Sequence, residues 1–280
     1  KQRLMKTRSP AVAGQFYPDD KSELDKLLND VLEKEQDHIR TDLSKTNLIG
    51  GIAPHAGYIF SAYQAVHVLQ ILKNHTTSFD TIFIVNPNHS GMGNEMAFDG
   101  NDYWKTPYGK VKIDQDFAQE MDIPVSEIEQ SREHSGEVMV PLIQHFLDYE
   151  VEIAPVTMTV QTHENALKLA QEIYKANSNL KKKIFVLASS DFSHFVSPTT
   201  GKEQDQLVID KIKSMKTREV EQIIRKNRIS VCGYGPIMAL MEYALLVTEH
   251  PRNELLKRGS SGDIIPSNEV VDYVSMLFYY

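Results

Sequence analysis

The sequence predicts an α/β fold in which a mixed, mostly parallel sheet is flanked by helices. The main observation is that short apolar runs, typical of buried strands, alternate with longer segments whose apolar residues recur at helical spacing. The second observation is that no low-complexity linker and no repeat of fixed period interrupts the 280 residues. We therefore expect a single domain over residues 1–280.

The predicted helices and strands alternate along most of the chain. Helices are predicted from apolar residues at helical spacing over 22–34, 58–73, 137–149, 164–176, 203–215, 217–226 and 236–247. Strands are predicted from continuous apolar runs bounded by turn residues over 47–53, 81–85, 111–113, 151–159, 184–189 and 270–280. The last strand is expected to pair at an edge of the sheet.

Local features refine these bounds. Ser22 is the expected N-cap of the first helix. Pro141 and Pro236 are tolerated because each falls within the first turn of its helix. The stretch 91–110, rich in glycine and aromatic residues, predicts an ordered excursion that covers part of the molecule.

The composition argues against several classes of protein. Apolar residues make up 41% of the chain and charged residues 24%, which is ordinary for a soluble globular protein. A net charge of −8 argues against nucleic acid as a partner. No apolar run approaches the roughly 18 residues of a membrane span, so no membrane partner is expected. The single cysteine and the lack of a signal-peptide pattern predict a cytoplasmic location.

Several common catalytic motifs do not occur in the sequence. It contains no glycine-rich dinucleotide fingerprint after a strand, no phosphate-binding P-loop, no nucleophile elbow and no HExxH helix. Nucleotide-dependent and zincin-type chemistries therefore have no support in this sequence.

Histidine or cysteine side chains follow four of the apolar runs. His55, His89 and Cys232 each end such a run within a turn of glycine, proline or asparagine, and His194 lies a few residues after a fourth run. A polar side chain directly after a buried strand lies at the carboxyl edge of the sheet, where ligands bind in open α/β sheets. Four imidazole or thiol groups at one edge could enclose a metal ion.

Other candidate residues have two interpretations each. Asp191 and His194 are three residues apart and could orient one another or share a substrate proton; alternatively, Asp191 caps a helix. His134 either lines the pocket or belongs only to a helix cap. Cys232 is either a ligand or a small buried residue. We expect His134 and Tyr234 to contribute to binding of the cofactor.

The order of six motifs resembles that of the Memo family. They are AGQFYP (13–18), APHAGY (53–58), NPNH (86–89), EHS (133–135), SSDFSH (189–194) and CGYGP (232–236). The family is similar in fold to the class III non-haem iron extradiol dioxygenases, where two histidines and a glutamate hold iron and another histidine is the base. The resemblance implies that His55 and His89 are metal ligands, that Cys232 stands in place of the carboxylate, and that His194 is the base beside Asp191.

The thiol at Cys232 bears on the expected cofactor. A thiolate is softer than a carboxylate and favours copper, zinc or a changed iron potential. We therefore expect iron or copper, with zinc as a third candidate. Three functions stay open: a metal-dependent redox enzyme, a metal-dependent hydrolase, and a non-catalytic module that binds a peptide or small ligand. The resemblance also implies AMMECR-type and radical SAM proteins as partners.

Overall fold

The computed structural model describes residues 3–280 and confirms an α/β fold with a mixed sheet flanked by helices. The helices are α1 (Lys21–Glu35), α2 (Tyr58–Lys73), α3 (Gln115–Glu120), α4 (His134–Glu137), α5 (Met139–Phe146), α6 (His163–Leu180), α7 (Pro198–Lys213), α8 (Thr217–Asn227) and α9 (Tyr234–Val247). None of the helices in this part of the chain has the length and apolar character needed to cross a membrane.

The strands form a large sheet and a small one. They are β1 (Thr7–Arg8), β2 (Leu48–Ala53), β3 (Thr81–Pro87), β4 (Met96–Asp99), β5 (Tyr103–Thr106), β6 (Gly109–Lys112), β7 (Val125–Ser126), β8 (Glu152–Met158), β9 (Ile184–Ser189), β10 (His194–Val196), β11 (Arg252–Ser260) and β12 (Val270–Tyr279). Among residues 3–280, the small sheet has the order β1-β5-β6, and the large sheet has the order β10-β12-β2-β9-β3-β8-β4-β7, with β11 also paired to β12.

The centre of the large sheet is parallel. β2 pairs with β9, β9 with β3, and β3 with β8, all in parallel register. The strands outside this centre pair mainly antiparallel, since β12 runs opposite to β2 and β4 runs opposite to β8. The carboxyl ends of β2, β9, β3 and β8 therefore meet at one edge of the sheet.

Two adjacent glycines allow helices to pack closely on both faces of β2. A Cβ atom at Gly50 would lie 2.4 Å from Leu240 of α9, and one at Gly51 would lie 2.9 Å from Val68 of α2. Successive residues of a strand point to opposite faces, so α9 and α2 cover opposite faces of the sheet. Both helices are rich in buried apolar residues.

The expectation that the last strand lies at an edge is wrong. β12 lies between β2 and β11, because Leu277 pairs with Gly51 on one side and with Glu254 on the other. The sequence analysis missed β11, whose nine residues include Arg252, Glu254, Lys257 and Arg258. Charged residues are frequent on strands that close a sheet edge, and here they hide the apolar pattern on which the strand prediction relies.

Two predicted helix boundaries also need correction. Asp20, rather than Ser22, caps α1 by accepting a hydrogen bond from the backbone N–H of Glu23 at 2.9 Å. The helix predicted over 137–149 is two helices, α4 and α5, and it begins three residues earlier. Pro141 has no N–H to donate to the carbonyl of Glu137, which is where α4 ends.

The stretch predicted as a covering excursion contributes strands. β4 adds to the large sheet beside β8, and β5 and β6 form the small sheet with β1. Trp104 of β5 is buried, and the guanidinium of Arg8 lies 4.7 Å from the centre of its ring. The small sheet thereby packs the amino-terminal strand against the core.

Glu137 fixes the amino-terminal segment on the domain. Its carboxylate accepts hydrogen bonds from the backbone N–H groups of Ala11 and Val12, from the hydroxyl of Tyr17 and from the guanidinium of Arg8. All of these contacts are buried or half-buried, where charge-assisted hydrogen bonds are strong. The segment that contains Phe16 is therefore held over α4.

Substitution of Gly50 by alanine should destabilise the protein. The added Cβ would lie 2.3 Å from the carbonyl oxygen of Val186 in β9, so the two paired strands would have to separate. We expect a loss of about 1–3 kcal/mol or more in the free energy of unfolding, measured by denaturant titration. Gly57→Ala is the matched control, because its Cβ would meet nothing closer than 3.7 Å. Equal losses in the two variants would contradict the prediction.

Candidate metal centre

Three histidines lie together at the carboxyl edge of the sheet. His55 follows β2, His89 follows β3, and His134 begins α4. One nitrogen from each ring lies within 4.8 Å of the others, which is close enough for all three to bind one ion. The ring centres of His89 and His134 are 4.6 Å apart, and that of His55 lies 5.4 Å and 5.3 Å from them.

The fold fixes the tautomer of His55. Its Nδ1 lies 2.8 Å from the hydroxyl oxygen of Ser189, the last residue of β9. That hydroxyl donates its own proton to the carbonyl of Ser135 at 2.7 Å, so it can only accept from the imidazole. The proton of neutral His55 is therefore on Nδ1, and the lone pair is on Nε2.

His89 is held by Glu133. The carboxylate accepts hydrogen bonds from Nδ1 and from the backbone N–H of His89, and also from the N–H and hydroxyl of Ser135. Since Nδ1 is the donor, the lone pair of neutral His89 is on Nε2. A carboxylate behind a histidine is the usual arrangement that orients a metal-binding imidazole and increases its basicity.

His134 is positioned by stacking. Its ring packs between Phe16, at 4.6 Å between ring centres, and His89 on the other side. Its Nδ1 lies 3.6 Å from an oxygen of Glu133. The position of His134 therefore depends on Glu137, which anchors the segment that carries Phe16.

Burial shapes the charges of this cluster. Burial holds the pKa of His55 well below its usual range and lowers the pKa of His134 to about 4. Burial alone would lower the pKa of His89 too, but the hydrogen bond and charge of Glu133 raise it. In turn, the contacts with His89 outweigh burial and lower the pKa of Glu133 to about 2. The imidazoles of His55 and His134 are therefore neutral, and the imidazole of His89 has the negative charge of Glu133 beside it.

Cys232 contacts the cluster through His55. Its Sγ lies 3.1 Å from Nε2 of His55, which carries the lone pair and accepts a hydrogen bond from the thiol. Burial and the charge of Asp191 raise the pKa of the thiol. Gly233 permits this approach, since a Cβ there would lie 2.4 Å from the carbonyl oxygen of Ser189.

Asp191 and His194 form a second group beside the cluster. Oδ1 of Asp191 accepts a hydrogen bond from the backbone N–H of His55, so the residue does not cap a helix. Its Oδ2 lies 3.8 Å from Nε2 of His55 and 3.9 Å from Nε2 of His194. Nδ1 of His194 donates to the carbonyl of Ser230 at 2.8 Å, which directs Nε2 towards Asp191. Burial raises the pKa of Asp191 to about 6.

A bulge turns the chain after His194. Phe195 has a φ of 54°, a left-handed conformation that is unfavourable for a side chain of its size, and it is 72% exposed. The pairing of β10 with β12 is irregular at this residue. Bulges beside active sites commonly redirect a side chain, and here the bulge follows directly on His194.

Tyr234 lies at the start of α9, two residues after Cys232. It is half-buried and packs against the hydrophobic core. The structure records no hydrogen bond from its hydroxyl to any residue in 3–280. Its expected part in cofactor binding stays a prediction.

Sequence reasoning missed the residues that orient the histidines. Glu133 and Ser189 both lie inside motifs singled out in the sequence, but their partners are 44 and 134 residues away. The available signal is the position of Glu133 next to His134, a segment that predicts either a pocket-lining histidine or a helix cap. Glu133 does cap α4, and it binds His89 as well.

Two buried residues with carboxyl side chains, Asp205 and Asp272, bind the segment 191–194. Asp205 of α7 accepts hydrogen bonds from the N–H and the hydroxyl of Ser193 at 3.1 Å and 2.6 Å. Asp272 of β12 bonds through its backbone to Phe192 and Ser193. Burial, followed by the hydrogen bond with Asp205 and the charge of that residue, raises the pKa of Asp272 to about 8. The carboxyl group of Asp272 therefore keeps its proton to a higher pH than an ordinary aspartate.

The donor set fits a transition metal. Three imidazoles whose nitrogens lie within 4.8 Å of one another suit zinc, copper or iron. The thiol of Cys232 is a further soft donor beside them. The fold and this cluster define the chain as an α/β protein with a candidate metal site at the carboxyl edge of its sheet.

Comparison with known proteins identifies the family. Residues 8–277 match the family model described as Memo-like protein, and the chain belongs to this family. It is 36% identical to a MEMO1 family protein of Desulfurococcus amylolyticus, over 98% of this chain and 100% of that protein. It is 34% identical to a MEMO1 family protein of Archaeoglobus fulgidus, over 97% and 99% of the two chains. The predicted family membership is confirmed.

A solved structure is also similar, to a smaller degree. It is that of the uncharacterized protein JW3007 from Escherichia coli K12, with a TM-score of 0.45 and 13% identity. The match covers 69% of this chain and 84% of that one. The predicted relation to extradiol dioxygenases does not rest on this match.

Asp272→Asn should flatten the dependence of stability on pH. An unfolded aspartate has a pKa of about 3.9, so between about pH 4 and pH 8 the folded protein holds a proton that the unfolded chain has lost. The free energy of unfolding therefore falls as the pH rises, by at most about 1.4 kcal/mol per pH unit for one proton. Asparagine does not titrate in this range, so the substitution removes this fall.

The effect is measured by denaturant titrations between about pH 4.5 and about pH 8.5. Asp30→Asn, at an exposed position of α1, is the matched control and should keep the slope of the unsubstituted protein. An unchanged slope in Asp272→Asn would show that the pKa of Asp272 is not raised in the folded protein.

Proposed function

We propose that this protein is a metal-dependent redox enzyme that acts on a small molecule at the carboxyl edge of the sheet. The observation that carries the proposal is the group of three imidazoles with nitrogens within 4.8 Å of one another. His55 and His89 use Nδ1 to bind Ser189 and Glu133, which leaves Nε2 of each ring as the possible ligand atom.

His55, His89 and His134 would hold the ion, with Cys232 as a fourth donor. The thiol lies within 3.1 Å of the ligand nitrogen of His55, and a thiol donor favours copper or a tuned iron site over magnesium or calcium. When bound, such an ion would supply electron-transfer chemistry and would polarise an oxygen atom of the substrate. Iron or copper is the proposed cofactor, and zinc is the third candidate.

Asp191 and His194 would move the proton. Efficient general acid–base catalysis needs a pKa close to the working pH, and the pKa of Asp191 is raised to about 6 by burial. His194 is a quarter exposed and faces the same carboxylate with Nε2. His194 is the proposed base, and Asp191 orients it and shares its proton.

A metal-dependent hydrolase is the second candidate. Three histidines with an open fourth position are a common zinc site for activating water, and Asp191 lies 3.8 Å from His55 as a potential base. A non-catalytic module that binds a peptide or small ligand is the third. The AMMECR-type and radical SAM partners implied by the family stay proposals.

The first test is metal content. Protein purified without oxygen and offered Fe(II), Cu(I) or Zn(II) should bind one ion per chain. Loss of a residue that only hydrogen-bonds to a metal ligand weakens metal binding by up to about a hundredfold. Loss of a ligand itself should cost more, so we expect a larger decrease in each of the variants His55→Ala, His89→Ala and His134→Ala. Cys232→Ser should weaken Cu(I) binding more than Zn(II) binding, since the hydroxyl is a hard donor.

His250→Ala is the control for these variants, because His250 is exposed and distant in sequence from the cluster. Its metal content should equal that of the unsubstituted protein. If the unsubstituted protein stays empty at micromolar metal, the metalloenzyme proposal fails and the binding module becomes the better proposal.

Glu133→Gln should weaken metal binding without unfolding the protein. The amide keeps the shape of the side chain but loses the charge that orients and polarises His89. We expect a loss of about 10- to 100-fold in metal affinity, measured by competition with a chromophoric chelator. Glu23→Gln, at the first turn of α1, is the control. Unchanged affinity in Glu133→Gln would exclude His89 as an oriented ligand.

The oxygen dependence of turnover separates the two enzymatic candidates. Redox turnover should stop without oxygen or another electron acceptor, and hydrolysis should continue. His194→Gln should reduce the rate while metal content is unchanged, because His194 is not among the proposed ligands. A metal-loaded protein whose His194→Gln variant keeps the full rate would contradict the proposed base.

A further inference from the structure

The open side of the histidine cluster faces a cavity of about 390 Å³. His89 and His134 form one wall of it, and their side chains remain 39% and 23% exposed, whereas that of His55 is 1% exposed. A small molecule therefore reaches the cluster from this side.

The other walls carry exposed apolar side chains and a cation. Met92, in the loop after β3, is 63% exposed, and Ile128 is 56% exposed. Arg132 borders the same cavity and is exposed. Met92 and Ile128 thus form one apolar side of a cavity whose other lining residues are polar or charged.

The guanidinium of Arg132 is available to bind a ligand. Within residues 3–280 its guanidinium takes part in no ion pair and no hydrogen bond. Of the carboxylates in the cavity wall, Glu133 is bound to His89, and Glu129 accepts from the backbone and the amide of Asn94. Arg132 also borders a second cavity beside Glu127, whose carboxylate is paired with Lys6.

We propose that Arg132 binds the anionic group, a carboxylate or a phosphate, of a small ligand. The apolar body of this ligand lies against Met92 and Ile128, and its far end reaches His89 and His134. A guanidinium matches the planar or tetrahedral oxygens of such groups with two parallel hydrogen bonds. The inference rests on the proposed function for the role of the far end, since it names the substrate class of that site.

A wider cleft at the opposite edge of the sheet is the weaker candidate for this ligand. It has a volume of about 1090 Å³ and lies near the starts of β3 and β8. Its cations are largely neutralised, because Lys182 is paired with Asp114 and Asp116, and Lys112 is paired with Glu152. It also lies away from the histidines.

The test compares three probes by calorimetric titration of the full chain, both metal-free and loaded with Zn(II). Phenyl phosphate and benzoate carry the two anionic groups, and benzyl alcohol carries neither. Arg132→Gln should weaken the binding of the preferred anion by about tenfold to a hundredfold, the usual worth of a charge-assisted hydrogen bond. It should leave benzyl alcohol and metal content unchanged.

Two further variants sharpen the result. Arg218→Gln, at an exposed arginine of α8, is the matched control and should bind the anions as the unsubstituted protein does. Ile128→Ser should weaken all three probes, because it removes the apolar wall. Arg132→Gln should lower the affinity for one of the two anionic probes, phenyl phosphate or benzoate, more than for the other. The probe with the larger loss of affinity carries the anionic group that the site prefers.

The outcomes separate this inference from the proposed function. Equal affinities of Arg132→Gln and the unsubstituted protein, or an equal loss in Arg218→Gln, would overturn the role of Arg132. Arg132-dependent binding to a protein that takes up no metal would support the anion site and overturn the metalloenzyme proposal. Metal uptake without Arg132-dependent binding of an anion would support the metal site and overturn the anion site.

Discussion

The candidate site depends on hydrogen bonds that occupy Nδ1 of two of its histidines, His55 and His89. Ser189 accepts from His55 only because its own proton goes to Ser135, and Glu133 accepts from His89 while it also binds Ser135. These contacts join β9, the turn after β3 and the start of α4 in one buried network. Buried polar networks of this kind are rigid when every member is satisfied. The free nitrogens are thereby held together before any ligand arrives.

The packing of the domain maintains that network. Gly50 and Gly51 let α9 and α2 approach β2 from opposite faces, which fixes the end of the strand from which His55 follows. Glu137 holds the amino-terminal segment so that Phe16 covers His134. A change far from the histidines can therefore alter their geometry, and stability and metal affinity should be measured together in each variant.

The environments of two carboxyl groups near the cluster shift their pKa values in opposite directions. Asp191 is fully enclosed and its pKa is raised to about 6, whereas the pKa of Glu133 is lowered to about 2 by its contacts with His89. One carboxyl group is thus suited to exchange a proton and the other to remain charged. Environments that separate the pKa values of neighbouring acids are typical of catalytic sites.

The features that depend on local sequence pattern could be predicted without a structure. Apolar periodicity predicted the α/β fold and most helices and strands, and turn residues after buried runs placed His55 and His89 at the sheet edge. The features that depend on contacts between distant segments became visible only in the folded chain. These are the joining of His134 to the cluster, the pairing of Glu133 with His89 across 44 residues, and the interior position of β12 beside the charged strand β11. Side-chain partners and strand order follow from how the segments pack, which no local pattern records.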